Sequence, residues 1–232
     1  MGLISFHGRF SKNIDKKNTI SKLLEVLEKK KLLSEKKFQI KINKKIPNRA
    51  GLGGGSMNAA SILKYFVENK IIKTNQREIE LISKSIGSDV IFGLNFTNSV
   101  LSAKNELKRF KGYNKFYTLI VKPNFGCSTK YIYSKVRNYD KPQFNKPTIK
   151  MFNFSFLKRT NNSLESIALL KYPKLKIIKL YLESISKTEF VRMTGSGSAL
   201  VAYYQSKASC HKAKKMFKKK YKNYWCIASK TI

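Results

Sequence analysis

The segment Pro47-Asn48-Arg49-Ala50-Gly51-Leu52-Gly53-Gly54-Gly55-Ser56 decides how this chain is read. Just upstream, Phe38, Ile40 and Ile42 alternate with Gln39, Lys41 and Asn43, the period-two pattern of a half-buried strand. Just downstream, Met57–Lys70 places Ala59, Leu63, Phe66 and Val67 on one helical face. The order is strand, glycine loop, helix. Three successive glycines allow backbone angles and close approaches that side chains forbid. A loop so placed aims several N–H groups and the positive end of a helix dipole at one point, which is how a chain cradles phosphate. The helix is expected to begin near Ser56, with Ser56 as its N-cap. The competing reading is a flexible linker or a tight structural turn, and the strand–loop–helix context favours the cradle. A Walker A loop would end in Gly-Lys-Ser/Thr, whereas Gly55-Ser56-Met57 has no lysine. A dinucleotide fingerprint would need a third glycine where Ser56 stands.

Outward from the loop, Thr19–Leu33 reads as an amphipathic helix capped by Asn18. Gln76–Ile86 reads as another, with Asn75 and Glu78 in a capping-box pattern and Gly87 as its stop. Ser88 and Asp89 follow at once, before the apolar Val90-Ile91-Phe92. Val100–Ala103 and Phe116–Val121 read as strands, and 130–136 as a helix. Residues 138–152 are polar and hold Pro142 and Pro147, so the boundary between two lobes, 1–140 and 141–232, is expected there. Residues 161–170 and 173–186 read as helices, the second opening on proline. Phe190–Met193 and Ala199–Tyr203 are strands around a second glycine turn, Thr194-Gly195-Ser196-Gly197-Ser198. A basic helix over 207–221 and a strand over 225–228 end the chain.

Composition narrows the class. The 232 residues are 42% apolar and 26% charged, an ordinary globular mix that excludes disorder as the main state. No apolar run approaches the roughly 18 residues of a membrane span, and the first residues do not form a secretory signal. Lys and Arg number 48 against 13 acids, a formal charge of +35. Such a charge attracts polyanions. Yet 41 of the 48 are lysine, scattered along the whole chain, whereas arginine is the residue of bidentate phosphate and base contacts. The lysines of 207–221 therefore read as a solvated outer face, and neither a specific nucleic-acid partner nor a membrane partner is expected. Three cysteines without close pairing describe no disulfide framework and fit a reducing cytoplasm. No metal-ligand spacing is present.

Ile46-Pro47-Asn48-Arg49-Ala50-Gly51-Leu52-Gly53-Gly54-Gly55-Ser56-Met57-Asn58-Ala59-Ala60 resembles the ATP-binding motif of the GHMP kinase superfamily, Pro-x3-Gly-Leu-Gly followed by small residues. Three glycines and then Ser-x-Asn-Ala-Ala are similar to the branch acting on 4-diphosphocytidyl-2-C-methyl-D-erythritol. Three further segments match in order. Ile86-Gly87-Ser88-Asp89-Val90 is similar to the family's Leu-Gly-Ala-Asp-Val, Lys122-Pro123-Asn124-Phe125-Gly126-Cys127-Ser128-Thr129 to its Lys-Pro-x-x-Gly-x-Ser-Thr, and Arg192–Ser198 to its second glycine loop.

The resemblance implies a two-lobed α+β fold, with ATP and substrate meeting between the lobes. It implies that Pro47–Met57 binds ATP and that Asp89 is catalytic, accepting the substrate's hydroxyl proton. Without it, Asp89 would read as a helix-end carboxylate. Thr194, Gly195, Ser196 and Gly197 are implied in closing the substrate and phosphate pocket; alone they read as a hairpin turn. Mg²⁺ is implied with ATP. The family opens on a strand bearing Ala-Lys-Ile-Asn-Leu, whose lysine assists catalysis, and then on Asp-Gly-Tyr-His. The match here starts only near Ile4–Gly8, so the fold is expected to lack its first strands. The alternatives are another small-molecule kinase of the superfamily, a basic nucleic-acid-binding protein and an inactive remnant that binds ATP.

Overall fold

The computed structural model describes residues 3–33, 38–104, 106–112, 115–138, 141, 144 and 146–232. The chain divides into two compact units, Met1–Asn48 with Gly53–Phe96, and Arg49–Leu52 with Thr97–Ile232.

In the first unit, helix α1 (Thr19–Lys29) starts where the sequence requires. The Asn18 side chain accepts the amides of Ile20 and Ser21, and Ser21 Oγ accepts the Asn18 amide at 2.9 Å. That reciprocal pair satisfies donors that no helical turn can reach. Ile20, Leu23, Leu24 and Leu27 form the fully buried face, each apolar side chain contributing about 1.5–3 kcal/mol. The helix stops at Lys29, short of the expected Leu33, because Lys31 turns left-handed at φ +55°. Strand β1 (Leu3–His7) pairs in parallel with β2 (Gln39–Asn43), Ile4 opposite Ile40 and Phe6 opposite Ile42. Helix α2 (Gly54–Glu68) buries Ala59, Ala60, Leu63 and Phe66. Helix α3 (Gln76–Ile86) is capped by Asn75, which accepts the Glu78 amide at 2.9 Å. The Glu78 carboxylate does not complete a capping box. It takes the Thr74 hydroxyl at 2.9 Å and Lys30, the residue that follows α1, at 3.2 Å instead. A 3₁₀ turn, Val90–Leu94, follows α3 and packs on α2. A Cβ on Gly93 would lie 2.6 Å from Ala60 Cβ, so only glycine admits this approach.

The second unit is built on a four-stranded antiparallel sheet of order β6-β7-β5-β8: β5 (Tyr117–Lys122), β6 (Phe190–Met193), β7 (Leu200–Tyr204) and β8 (Trp225–Lys230). Hairpin strands β3 (Asn98–Leu101) and β4 (Leu107–Phe110) precede it. Helices α4 (Thr129–Ser134), α5 (Phe154–Arg159), α6 (Glu165–Lys171), α7 (Pro173–Ser184) and α8 (Lys207–Lys220) complete it. One core joins Leu119 and Val121 of β5, Ala202 and Tyr204 of β7, Leu175, Ile178 and Leu182 of α7, and Cys210, Ala213 and Phe217 of α8. The lysines of α8 lie outside this core, Lys212, Lys215, Lys219 and Lys220 being exposed.

The mixed α/β architecture agrees with the expected class. Strands β1 and β4 and helix α5 go beyond the elements expected from the sequence. The units part at Phe96/Thr97, because the chain beyond Thr97 packs with the second sheet. The boundary expected at 140/141 adjoins Tyr139, Asp140, Pro142 and Gln143, which lie outside the described residues.

Candidate active site

Helix α2 begins at Gly54, two residues earlier than expected. Its N-cap is Gly53, left-handed at φ +64°, and no side chain caps it. Ser56 is therefore the third residue of the helix rather than its cap. A left-handed glycine turns the chain into a helix without presenting a side-chain acceptor to the first amides. The first helical bond runs from the Met57 amide to the Gly53 carbonyl at 2.9 Å. The amides of Gly54, Gly55 and Ser56 thus precede the ladder, at the positive end of the helix dipole. A Cβ on Gly53 would meet nothing within 4 Å, and one on Gly54 would meet only Lys44 Nζ, at 3.7 Å. Among the described residues, no other protein atom lies within 4 Å of either position.

Lys44 was not singled out from the sequence. It follows β2 directly, and only 9% of it is exposed. Burial lowers its pKa below the ordinary lysine value. Burial of a cation is unfavourable unless an anion compensates it. The side chain ends at the helix N-terminus, where an anion would be held by amides and ammonium together.

Asp89 lies in the same unit, exposed, between α3 and the 3₁₀ turn. Ser88 Oγ donates to its Oδ1 at 3.2 Å. Fully buried Val90 and nearly buried Ile91 anchor the following turn against α2. The carboxylate is thereby carried by a segment packed on the helix whose first turn forms the cradle.

The preceding half of the glycine loop, Arg49–Leu52, groups with the second unit. The Ala50 carbonyl accepts the Ala199 amide at 3.0 Å and the Thr194 hydroxyl at 3.3 Å. Gly51, at φ +68°, leaves no room for a Cβ, which would collide with the Thr194 carbonyl oxygen. Thr194–Ser198 joins β6 to β7 as a hairpin turn, pinned from several sides. Asn162 Nδ2 donates to the carbonyls of Met193 and Gly195 at 2.9 and 2.8 Å. Ser196 Oγ and Thr129 Oγ1 are 2.8 Å apart, and Ser198 Oγ donates to the Phe125 carbonyl at 2.7 Å. Lys122, buried and lowered in pKa for that reason, donates to the carbonyls of Pro123 and Phe125 at 2.8 and 2.6 Å. Cys127 is buried beside it, and burial raises its thiol to about 11. A cavity of about 570 Å³ beside β6 is lined by Asn162, Glu165, Lys179 and Arg192 among others. These charges bond one another and the backbone: Glu165 takes the Met193 amide and Lys179, and Arg192 donates to the Leu157 carbonyl and Thr160. These residues therefore brace β6, the strand that leads into the turn.

The sequence profile described as GHMP kinases N terminal domain matches residues 18–96, whose end coincides with that of the first unit. The chain is 56% identical to a 4-diphosphocytidyl-2-C-methyl-D-erythritol kinase of Pelagibacter ubique, over 99% of this chain and 82% of that protein. The chain belongs to this GHMP kinase family. It is a small-molecule kinase. A protein of the same name from Buchnera aphidicola is 34% identical over 91% of this chain and 72% of its own length. Among solved structures, a 4-(cytidine 5'-diphospho)-2C-methyl-D-erythritol kinase superposes with a TM-score of 0.73 at 22% identity, covering 98% of this chain and 82% of that one. A homoserine kinase from Cytophaga hutchinsonii gives 0.70 at 14% identity, covering 99% and 82%. At those identities the superpositions establish the fold.

For this kinase the expected residues fall into two groups. Gly53–Met57 and Asp89 lie in the first unit, and Ala50, Gly51 and Thr194–Gly197 in the second. Pro47 is buried, and Asn48 donates to the Phe10 carbonyl at 3.0 Å, so both shape the loop's approach. Arg49 is exposed and left-handed at φ +51°. Lysines are so numerous in this sequence that Lys44 carried no signal. A lysine directly after a strand and ten residues before a glycine run was the available clue.

Proposed function

We propose that this chain transfers the γ-phosphoryl group of ATP to the 2-hydroxyl of 4-diphosphocytidyl-2-C-methyl-D-erythritol. One observation carries the reading: the helix start that the relatives' glycine motif occupies here has three free-standing amides, open space at Gly53 and Gly54, and a buried lysine pointing to it. The amides of Gly54, Gly55 and Ser56 and the Lys44 ammonium hold the triphosphate. The substrate hydroxyl attacks the γ-phosphorus, its proton passes to the Asp89 carboxylate, and the bond to the β,γ-bridging oxygen breaks to release ADP. Phosphoryl transfer of this kind needs positioning and charge compensation more than covalent chemistry. The Thr194–Gly197 turn, through Ala50, fixes the preceding half of the glycine loop.

Mg²⁺ accompanies ATP as the counter-ion of its phosphates. Among the described residues no group of three or more His, Cys, Asp or Glu could cage it. Among the described residues no helix is long and apolar enough to cross a membrane. The three cysteines are free, and we place the enzyme in a reducing cytoplasm.

An ADP-release assay with the proposed substrate tests the reading. Turnover that requires the cytidyl group supports it. Equal turnover on sugar alcohols lacking that group points to another small-molecule kinase of the superfamily. Nucleotide binding with no turnover on any of them overturns the reading in favour of an inactive ATP-binding remnant.

A further inference from the structure

Helix α1 touches both halves of the first unit's site without belonging to either. Thr19 Oγ1 donates to the Gly55 carbonyl at 2.8 Å, and its hydroxyl lies 3.1 Å from where a Cβ on Gly55 would stand. A peptide group is planar, so holding the Gly55 carbonyl also fixes the Ser56 N–H across the same bond. That N–H is one of the three cradle donors. One turn along α1, Lys22 Nζ donates to the Ile86 carbonyl at 3.0 Å. Ile86 is the last residue of α3, and its carbonyl is an orphan acceptor at the negative helix end. Asp89 is three residues further on. Thr19 and Lys22 are i and i+3, on one face of α1. The helix behind them is locked by Ile20, Leu23, Leu24 and Leu27. At its far end, Lys30 meets Glu78 in the first turn of α3 at 3.2 Å, so α1 and α3 run antiparallel with a tether at each end.

We infer that α1 is a strut that sets the spacing between phosphate cradle and carboxylate, with Thr19 and Lys22 as its positioning residues. The inference rests on the reading of the cradle and Asp89 given above. Neither residue need touch a ligand.

Thr19→Val, Thr19→Ser, Lys22→Met, Lys22→Arg and the distal control Lys30→Met separate this role from mere stability. The full chain is assayed for kcat and KM, for the affinity of a non-hydrolysable ATP analogue, for thermal midpoint, and for hydrogen exchange at the amides of 87–90. Thr19→Val should weaken the analogue and lower kcat/KM for ATP by about tenfold, with Thr19→Ser restoring both. Lys22→Met should lower kcat by about tenfold at unchanged KM for ATP and speed exchange at 87–90, with Lys22→Arg restoring both. Lys30→Met should lower the thermal midpoint as much while leaving kcat within about twofold. Wild-type kinetics in Thr19→Val and Lys22→Met, or an equal kcat loss in Lys30→Met, overturns the strut. If the wild-type chain turns over no substrate, the proposed function fails separately. The strut then stands or falls on analogue affinity in the Thr19 pair and exchange in the Lys22 pair.

Discussion

The chain carries two glycine-rich turns that look alike in sequence and do opposite things in space. At Gly53 and Gly54 a methyl group would meet open space or the tip of one lysine. At Gly51 it would collide with a backbone carbonyl, and at Gly197 it would lie 2.8 Å from Met193 Sδ and 3.0 Å from Cys127 Sγ. At the first turn no described protein atom excludes a side chain, which is what the proposed phosphate contact requires. The second, and the part of the first loop clasped to it, is glycine because the protein itself is already there. Donors tell the same story: the α2 amides stand ahead of the helical ladder, whereas Thr194–Ser198 is bonded to Asn162, Thr129, Phe125 and Ala50.

The comparison can be broken most forcefully at the carboxylate. Asp89→Asn keeps the cradle and the packing but removes the proton acceptor. Turnover should fall by about 10²–10⁴-fold with analogue affinity retained, as a general base predicts. Comparable loss of affinity would make Asp89 part of the binding surface instead. Next comes Gly51→Ala, which adds overpacking to left-handed strain. A loss of about 2–4 kcal/mol is expected in denaturant unfolding.

Gly54→Ala is the counter-test. Alanine is the better helix former by about 1 kcal/mol, so stability should hold or rise. Nucleotide affinity should drop by about tenfold because the methyl group stands where phosphate must approach. If both glycine variants lose stability alike, the two turns are not different in kind.

Lys44→Met sharpens the difference through pH. In the folded chain its pKa is lowered by burial, as is that of Lys122. Between the lowered values and the ordinary lysine range, the folded state has released protons that the unfolded chain still holds. The contribution of these two lysines to the stability of the ligand-free chain should therefore rise with pH across that window, against the opposite contribution of groups that burial keeps protonated, such as Cys127 and Tyr204. Affinity for the ATP analogue should fall across it, because the ammonium facing the phosphate is lost. Lys44→Met should weaken the analogue and remove most of this pH dependence, and should remove only Lys44's part of the stability slope, since Lys122 remains. Calorimetric titrations at two pH values check both signs.

Much of this was legible in the sequence because it depends on short-range physics. Asn18 and Asn75 cap the helices they precede. The glycine run, the Gly87-Ser88-Asp89 connection and the turn at Thr194–Ser198 sit between the elements their neighbours suggested. Strand β4 escaped, since Leu107-Lys108-Arg109-Phe110 sets two bases between two apolar residues and shows no period-two alternation. The cap of α2 was misplaced because a serine outranks a glycine as an N-cap in general, whereas here the left-handed glycine keeps the amides clear of any side chain.

Sequence alone determined the family, the positions of the glycines and the presence of an aspartate after α3. Local patterns and ordered motifs are properties of neighbouring residues. Only the tertiary structure decided which of 41 lysines is buried at the cradle, which glycines face open space, and which helix ties cradle to carboxylate. Those facts join residues 10, 36 and 64 positions apart: Lys44 with Gly54, Thr19 with Gly55, Lys22 with Ile86. No local preference encodes such pairs; they exist once the apolar faces of α1, α2 and α3 have packed.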